Sequence, residues 1–488
     1  MTRCLRLVLC LWTVLVTAPA LAAPDAPVVV STPTVGDSFS PGFRDIADFP
    51  LPYVEEEFFI EGTADVFAYD NDPPTRGEKS VVSTLPYKTR FLVRRPQNAH
   101  DFNGTVVIEW FNTTAGFDTA PVYDASAGHF GREGMIYIGF TNSQQGLGFL
   151  LFGCPALVTF EPQCLGRYAD LLIAEDGQAY EIASQLANLL KNGANNPLPA
   201  GFHVQRIFHA GQSQQGGSVT TYASEFHFPV NDGYFIQSAG GGSRSLSTDS
   251  PRFATGDPQG FAPRDLPVPV VRAVGENDVV RSILTRGTRQ EDAPNFRYYE
   301  IAGGAHNAVH KDIEVIPAGV LTPFPIFLED VCALPSNTTG DGPVFSGMVY
   351  SATFRNMERR VRRGRPLPRG AVLETDENGV VRDEFGNARG GIRLPQLDVP
   401  VATYGPFNVP NPALPLPPDL AGLGQLICAL NGSVTDFDTA TIDTLYPTPR
   451  SFRVPFFWRT LSLVWKRLLT VEDAIQLLRE AYASEAGS

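Results

Sequence analysis

The chain has 488 residues, 43% of them hydrophobic, which is ample material for a core and more length than one ordinary domain uses. No linker or low-complexity stretch divides it, so one large domain with an elaborated second part is expected rather than two independent ones. The formal net charge of −14 argues against nucleic acid and anionic membranes as partners, and it leaves substrate and oligomeric state open.

The N-terminus reads Met1-Thr-Arg-Cys-Leu-Arg, then Leu7 to Val16 without a charge, then Thr17-Ala-Pro-Ala-Leu-Ala-Ala23. A positive start, a short apolar run and a small-residue exit form the pattern of a secretory signal peptide, residues 1–22. The run is too short to span a bilayer and no later stretch approaches that length, so the expectation is a secreted or periplasmic, soluble protein. Cysteine usage fits export. Cys4 and Cys10 fall in the leader, while Cys154, Cys164, Cys332 and Cys428 remain, and four cysteines allow three pairings. Cys154 with Cys164 would close a short loop, and Cys332 with Cys428 would staple the C-terminal part. There is no C-x-x-C or His/Cys cluster, so no metal is expected and no cofactor is implied.

Pro24 to about Tyr53 is proline-rich and irregular. Val54–Ile60 and Tyr87–Arg95 read as early strands. Gly104–Phe111 and Met135–Phe140 are apolar runs of the kind buried on both faces of a parallel sheet, with a helix around Val122–Glu133 between them. Leu171–Lys191 carries a helical stripe of Ile182, Leu186, Leu189 and Leu190. The next strand holds Val204, Ile207, Phe208 and Ala210, and it stops at Gly211-Gln-Ser-Gln-Gln-Gly-Gly217, after which Ser218 to about Phe226 is predicted helical. Tyr234–Ile236, Val268–Val274 and Phe296–Ile301 supply further strands. Strands alternating with helices imply a mostly parallel sheet with right-handed crossovers.

A strand, one serine among small residues and a helix are the setting of a nucleophile elbow, here Ser213. The usual second glycine of G-x-S-x-G is replaced by Gln215, with glycines only at 216 and 217. Parallel sheets place their chemistry in the loops beyond the strands' C-terminal ends. After the strand ending at Val274 comes Gly275-Glu-Asn-Asp278; after the strand ending at Ile301 comes Ala302-Gly-Gly-Ala-His306. Asp278 is the favoured acid and Glu276, two residues earlier, the alternative. His306 is the favoured base and His310 its competitor; His100, His129, His203, His209 and His227 read as structural or exposed. An oxyanion would be met by the backbone N–H of Gln214 and by one from the Asn112-Thr113 turn.

With these residues placed, the chain resembles the α/β-hydrolase superfamily. Within it, the likeness is to the bacterial "alpha/beta hydrolase domain-containing" family with a G-x-S-Q elbow. Val107-Ile-Glu-Trp-Phe-Asn112, Gly211-Gln-Ser-Gln214, Glu384-Phe-Gly-Asn-Ala-Arg-Gly-Gly-Ile-Arg-Leu-Pro395 and Val399-Pro-Val-Ala-Thr-Tyr-Gly405 carry the resemblance over most of the chain beyond the leader. Gln215 departs from the smaller residue expected after Ser-Gln. The resemblance implies an α/β-hydrolase fold and a serine esterase acting on a small-molecule or polymeric ester. A peptidase, an acyltransferase or a non-catalytic binding protein would be compatible with the same residues.

The divisions expected are the leader 1–22, a hydrolase core 23–310 and an extension 311–488 that completes and caps the fold. In that extension Phe345–Arg363 reads as a helix ending in solvated arginines, Asp376–Gly379 as a hairpin turn and Val471–Ala483 as an amphipathic helix. Its phenylalanines and tryptophans are expected to line the pocket. Peptide mapping of the unreduced protein by mass spectrometry should find Cys154 linked to Cys164 and Cys332 linked to Cys428. Four free thiols or a crossed pairing would count against this framework.

Overall fold

The computed structural model describes residues 28–41, 44–153, 166–308, 314–316, 326–337, 345–413 and 421–484. Residues 1–22, the expected leader, together with Cys154, Cys164 and His310 lie outside the described residues. Ten strands form the main sheet: β1 (Val29–Ser31), β2 (Tyr53–Tyr69), β3 (Lys79–Pro96), β4 (Thr105–Trp110), β5 (Ile136–Phe140), β6 (Leu172–Ile173), β7 (Arg206–Gln212), β8 (Gly233–Gln237), β9 (Val270–Gly275) and β10 (Phe296–Ile301). Their order is β1-β2-β3-β5-β4-β7-β8-β9-β10, with β6 on β3. From β5 to β10 across the sheet all neighbours are parallel, and the β1–β2–β3 side is antiparallel. This is the mostly parallel sheet with flanking helices that the α/β-hydrolase expectation named.

The parallel strands are buried throughout because helices cover the sheet, which is why they read as unbroken apolar runs. Trp110 packs on Tyr180 and Tyr222, from the helices Gln178–Asn192 and Gln214–Glu225. Phe235 packs on Tyr350 and Phe354 of the helix Phe345–Arg363, and Phe354 in turn meets Phe130. A single hydrophobic cluster therefore draws on residues from Phe58 to Ala481, with the stretch beyond residue 310 contributing Phe345, Met348 and Tyr350.

Three expectations are corrected. The early strands run far beyond 54–60 and 87–95, as a 17-residue strand paired with an 18-residue one. Their polar, alternating flanks satisfy the backbone in a two-stranded ribbon without needing a buried second face. The helix expected from Leu171 starts at Gln178, because Leu172 and Ile173 pair with Lys88 and Tyr87 of β3. The elbow helix starts at Gln214 rather than Ser218. The hairpin at Asp376–Gly379 is present, with Asp376 opposite Gly379.

One buried ion cluster anchors the loop that follows β4. Arg90, fully buried in β3, reaches Glu57 at 3.1 Å, Asp118 at 3.0 Å and the Thr141 hydroxyl at 3.1 Å. Arg167 holds the other oxygen of Glu57 at 2.5 Å. Removing Arg90 would leave Asp118 as an uncompensated buried charge. Arg90→Met should therefore lose about 3–5 kcal/mol of stability in denaturant titration. A loss below about 1 kcal/mol would mean that the cluster is worth no more than a surface pair.

Candidate active site

β7 ends at Gln212 and the next helix begins at Gln214, which leaves Ser213 alone in the turn. Its backbone has φ +54° and ψ −112°, a conformation costly for a residue with a side chain. The turn closes because its neighbours are bare. A Cβ on Gly211 would lie 2.4 Å from the Gln215 carbonyl oxygen, and one on Gly216 would lie 2.8 Å from Ala239 Cβ. Gly216 thus permits the close approach that the sequence pattern sought at 215, and Gln215 packs its side chain into the interior.

The β9 and β10 loops bring their candidates together. His306 Nδ1 lies 2.5 Å from Asp278 Oδ1, and Asp278 Oδ2 accepts the Gly275 N–H at 3.0 Å. Glu276 points elsewhere. It pairs with Arg382 and accepts the Gly303 N–H at 2.8 Å, and its side chain is fully buried rather than solvated. Burial pushes its carboxyl above the ordinary value, against the pull of Arg382 and that N–H. The remaining described histidines sit away from Ser213. His100 and His203 are exposed, and His227 meets the Tyr234 hydroxyl. His129 is buried, and His209 is buried against Trp110 and Asn231 with its pKa pushed down to about 3 by desolvation.

Of the expected oxyanion donors, Gln214 opens the helix, so its N–H has no carbonyl within the helix to bond. Asn112 is a correction: its N–H is already given to Thr119 O at 2.9 Å. Thr114 N–H goes to Asn112 Oδ1 at 2.8 Å, so of Asn112, Thr113 and Thr114 it is Thr113 whose N–H has no partner among the described residues.

Two cavities meet at Ser213 and His306. A pocket of about 130 Å³ lies towards the Asn112 turn, and a larger cavity of about 620 Å³ lies beyond Gln214. The smaller one is roofed by the helix Ala421–Leu430, through Leu423, Leu426, Ile427 and Leu430. The described lining contributed by the C-terminal part is therefore aliphatic and not the expected phenylalanine and tryptophan; Trp458 and Trp465 are exposed elsewhere, on the helix Pro449–Lys466. Cys428 of the roof helix is joined to Cys332. Asn307 N–H donates to Leu430 O at 2.9 Å, and Asn277 Nδ2 donates to Ala429 O at 2.9 Å, so the roof hangs on both acid and base loops.

Two features were missed in the sequence. Gln212 Nε2 donates to His306 O and Asn307 Oδ1, both at 3.2 Å, while its Oε1 accepts from Asn112 Nδ2 at 2.9 Å. Nothing in the sequence distinguishes this glutamine from the variable residue of an elbow. The roof helix did carry a signal, since 423, 426, 427 and 430 follow the helical i, i+3, i+4, i+7 spacing.

The family described as "Alpha/beta hydrolase domain" matches residues 19–479. Among solved structures, an alpha-beta serine hydrolase homologue from Coxiella burnetii is 11% identical, with 45% of this chain and 85% of that one covered and a TM-score of 0.29. Acetyl xylan esterase 1 from Thermoanaerobacterium sp. JW/SL YS485 is 12% identical over 56% of this chain and 81% of that one, at TM-score 0.28. Est1E from Butyrivibrio proteoclasticus is 14% identical over 51% and 93%, at TM-score 0.29. No curated protein matches. The family match across the chain carries the assignment, and the distant structural likenesses add nothing to it.

The elbow geometry predicts a sharp contrast between two glycines. Gly211→Ala must push strand and helix apart and should cost about 1–3 kcal/mol or more by chemical denaturation. Gly242→Ala, whose Cβ would meet nothing within 4 Å, should leave stability within about 0.5 kcal/mol of the parent. Equal effects at the two positions would contradict the close approach.

Proposed function

Because the chain belongs to the alpha/beta hydrolase domain family, we propose that it is a serine hydrolase that cleaves carboxylic esters through an acyl-enzyme. The observation that carries this reading is the 2.5 Å His306–Asp278 pair on the rim of cavities that Ser213 also lines. Asp278 at Nδ1 fixes the imidazole tautomer, so that Nε2 is the free acceptor. Ser213 Oγ attacks the ester carbonyl carbon as its proton passes to Nε2. The oxyanion is met by the N–H groups of Gln214 and Thr113. Collapse breaks the bond to the alcohol oxygen, which leaves with the proton from His306. Water then attacks the acyl-serine with His306 again as base, releasing the acid and restoring the serine.

The Cys332–Cys428 bond suits an oxidising compartment and supports export. No helix among the described residues is long and apolar enough to cross a membrane.

A fluorophosphonate probe should label Ser213, and Ser213→Ala should lose both the label and roughly a thousandfold or more of 4-nitrophenyl ester hydrolysis while staying folded. Asp278→Asn should lower turnover by up to about ten-thousandfold with little change in melting. Glu276→Gln should instead lower the melting temperature, because it breaks the buried contact with Arg382. Unlabelled, hydrolytically inert wild-type protein would sink the reading and leave a binding protein on this fold.

A further inference from the structure

The esterase reading leaves one property of the site unused. The larger cavity is lined by four arginines, Arg244, Arg252, Arg281 and Arg286, all of them exposed to it. None of the four forms an ion pair among the described residues. Arg244 is set beside the nucleophile, since its Nε donates to Gln214 O at 3.4 Å and its stem lies 3.3 Å from where a Cβ on Gly217 would stand. Arg286 crosses the floor, its Nη1 being 3.0 Å from the position of a Cβ on Gly240. That floor is the run Gly240-Gly-Gly242, which presents no side chains to the cavity.

Two carboxylates, Asp257 and Asp278, line the same cavity and offset half of this charge, leaving the arginines in excess. Asp278 is held by His306 and the Gly275 N–H, and Asp257 accepts the Gln259 N–H at 2.9 Å. Guanidinium groups stay protonated at any working pH and present paired N–H donors that match a carboxylate. In a chain of net charge −14, a concave wall on which arginines outnumber carboxylates is a local positive patch. The smaller pocket is lined by none of these arginines; Leu426 and Leu430 of its roof border both cavities, and Leu423 and Ile427 line the smaller one alone.

We propose that the substrate is an ester with a carboxylate on the side that occupies the arginine-lined cavity and a short apolar group on the side that occupies the roofed pocket. The inference rests on Ser213 being the nucleophile. It explains why the arginines gather on the larger cavity and are absent from the lining of the smaller one.

Two matched ester pairs test it. 4-Nitrophenyl hexanoate and mono(4-nitrophenyl) adipate share the acyl length and differ in a terminal methyl or carboxylate. Phenyl butyrate and 3-carboxyphenyl butyrate place the charge on the alcohol side instead. At low ionic strength the anionic member of at least one pair should lead in kcat/KM by about tenfold or more, after correction for uncatalysed reactivity. That ratio should shrink as salt is added and should fall in the double variant Arg281→Gln/Arg286→Gln. Ratios at or below one in both pairs overturn the proposal. If neutral esters are turned over through Ser213 without anionic preference, the hydrolase reading stands and this one falls. If the parent hydrolyses none of the four esters and a fluorophosphonate leaves Ser213 unlabelled, the hydrolase reading falls and this inference falls with it.

Discussion

The contact on which the rest depends is the approach of β7 to the helix Gln214–Glu225. Strand and helix come so close that a methyl group at Gly211 would overlap the Gln215 carbonyl. The cost of that approach appears at Ser213, whose φ of +54° is tolerable only because the surrounding structure over-determines it. In return, the hydroxyl stands clear of the sheet at the N-terminus of a helix, where free N–H groups and the helix dipole favour negative charge. The strained serine and the donors beside it have one geometric cause.

Carboxamide side chains hold the loops around that turn. Gln212 bonds the Asn112 loop on one side and the His306 loop on the other. Asn277 ties the acid loop to Pro406 and Ala429, and Asn337 donates to Gly303 O at 2.8 Å in the base loop. Each amide carries both donor and acceptor, so one residue can satisfy two buried backbones that belong to different loops. Hydrogen-bonded amides cost less to bury than charges, and two ion pairs with buried carboxylates add to them: Arg90 with Asp118 under the Asn112 loop, and Arg382 with Glu276.

The roof over the smaller pocket comes from sequence more than a hundred residues beyond His306. Cys332 and Cys428, 96 residues apart, hold its helix to the chain that precedes it. The backbone bond from Asn307 to Leu430 joins it to the base loop. Leu426 and Leu430 of the roof border both cavities, and the arginines line only the larger one.

The strand–turn–helix around Ser213, the order serine, acid, histidine, and the apolar strands β4, β5 and β7 to β10 were legible in the sequence, because short-range pattern dictates them. Periodicity marks a buried strand, and a run of small residues marks a sharp turn. The sequence favoured Asp278 as the partner of His306 but did not exclude Glu276. Asp278 and Glu276 are two residues apart in one loop, and only the placement of Arg382, far along the chain, draws Glu276 away. The same holds for Gly216 standing in for the missing glycine at 215, since the atom that requires it is Ala239 Cβ, on the chain beyond β8. The roof helix shows its stripe in the sequence but not what the stripe covers. Local chemistry determines which element a segment forms; the partner of each side chain is decided by contacts between segments remote in sequence, and no local pattern encodes those.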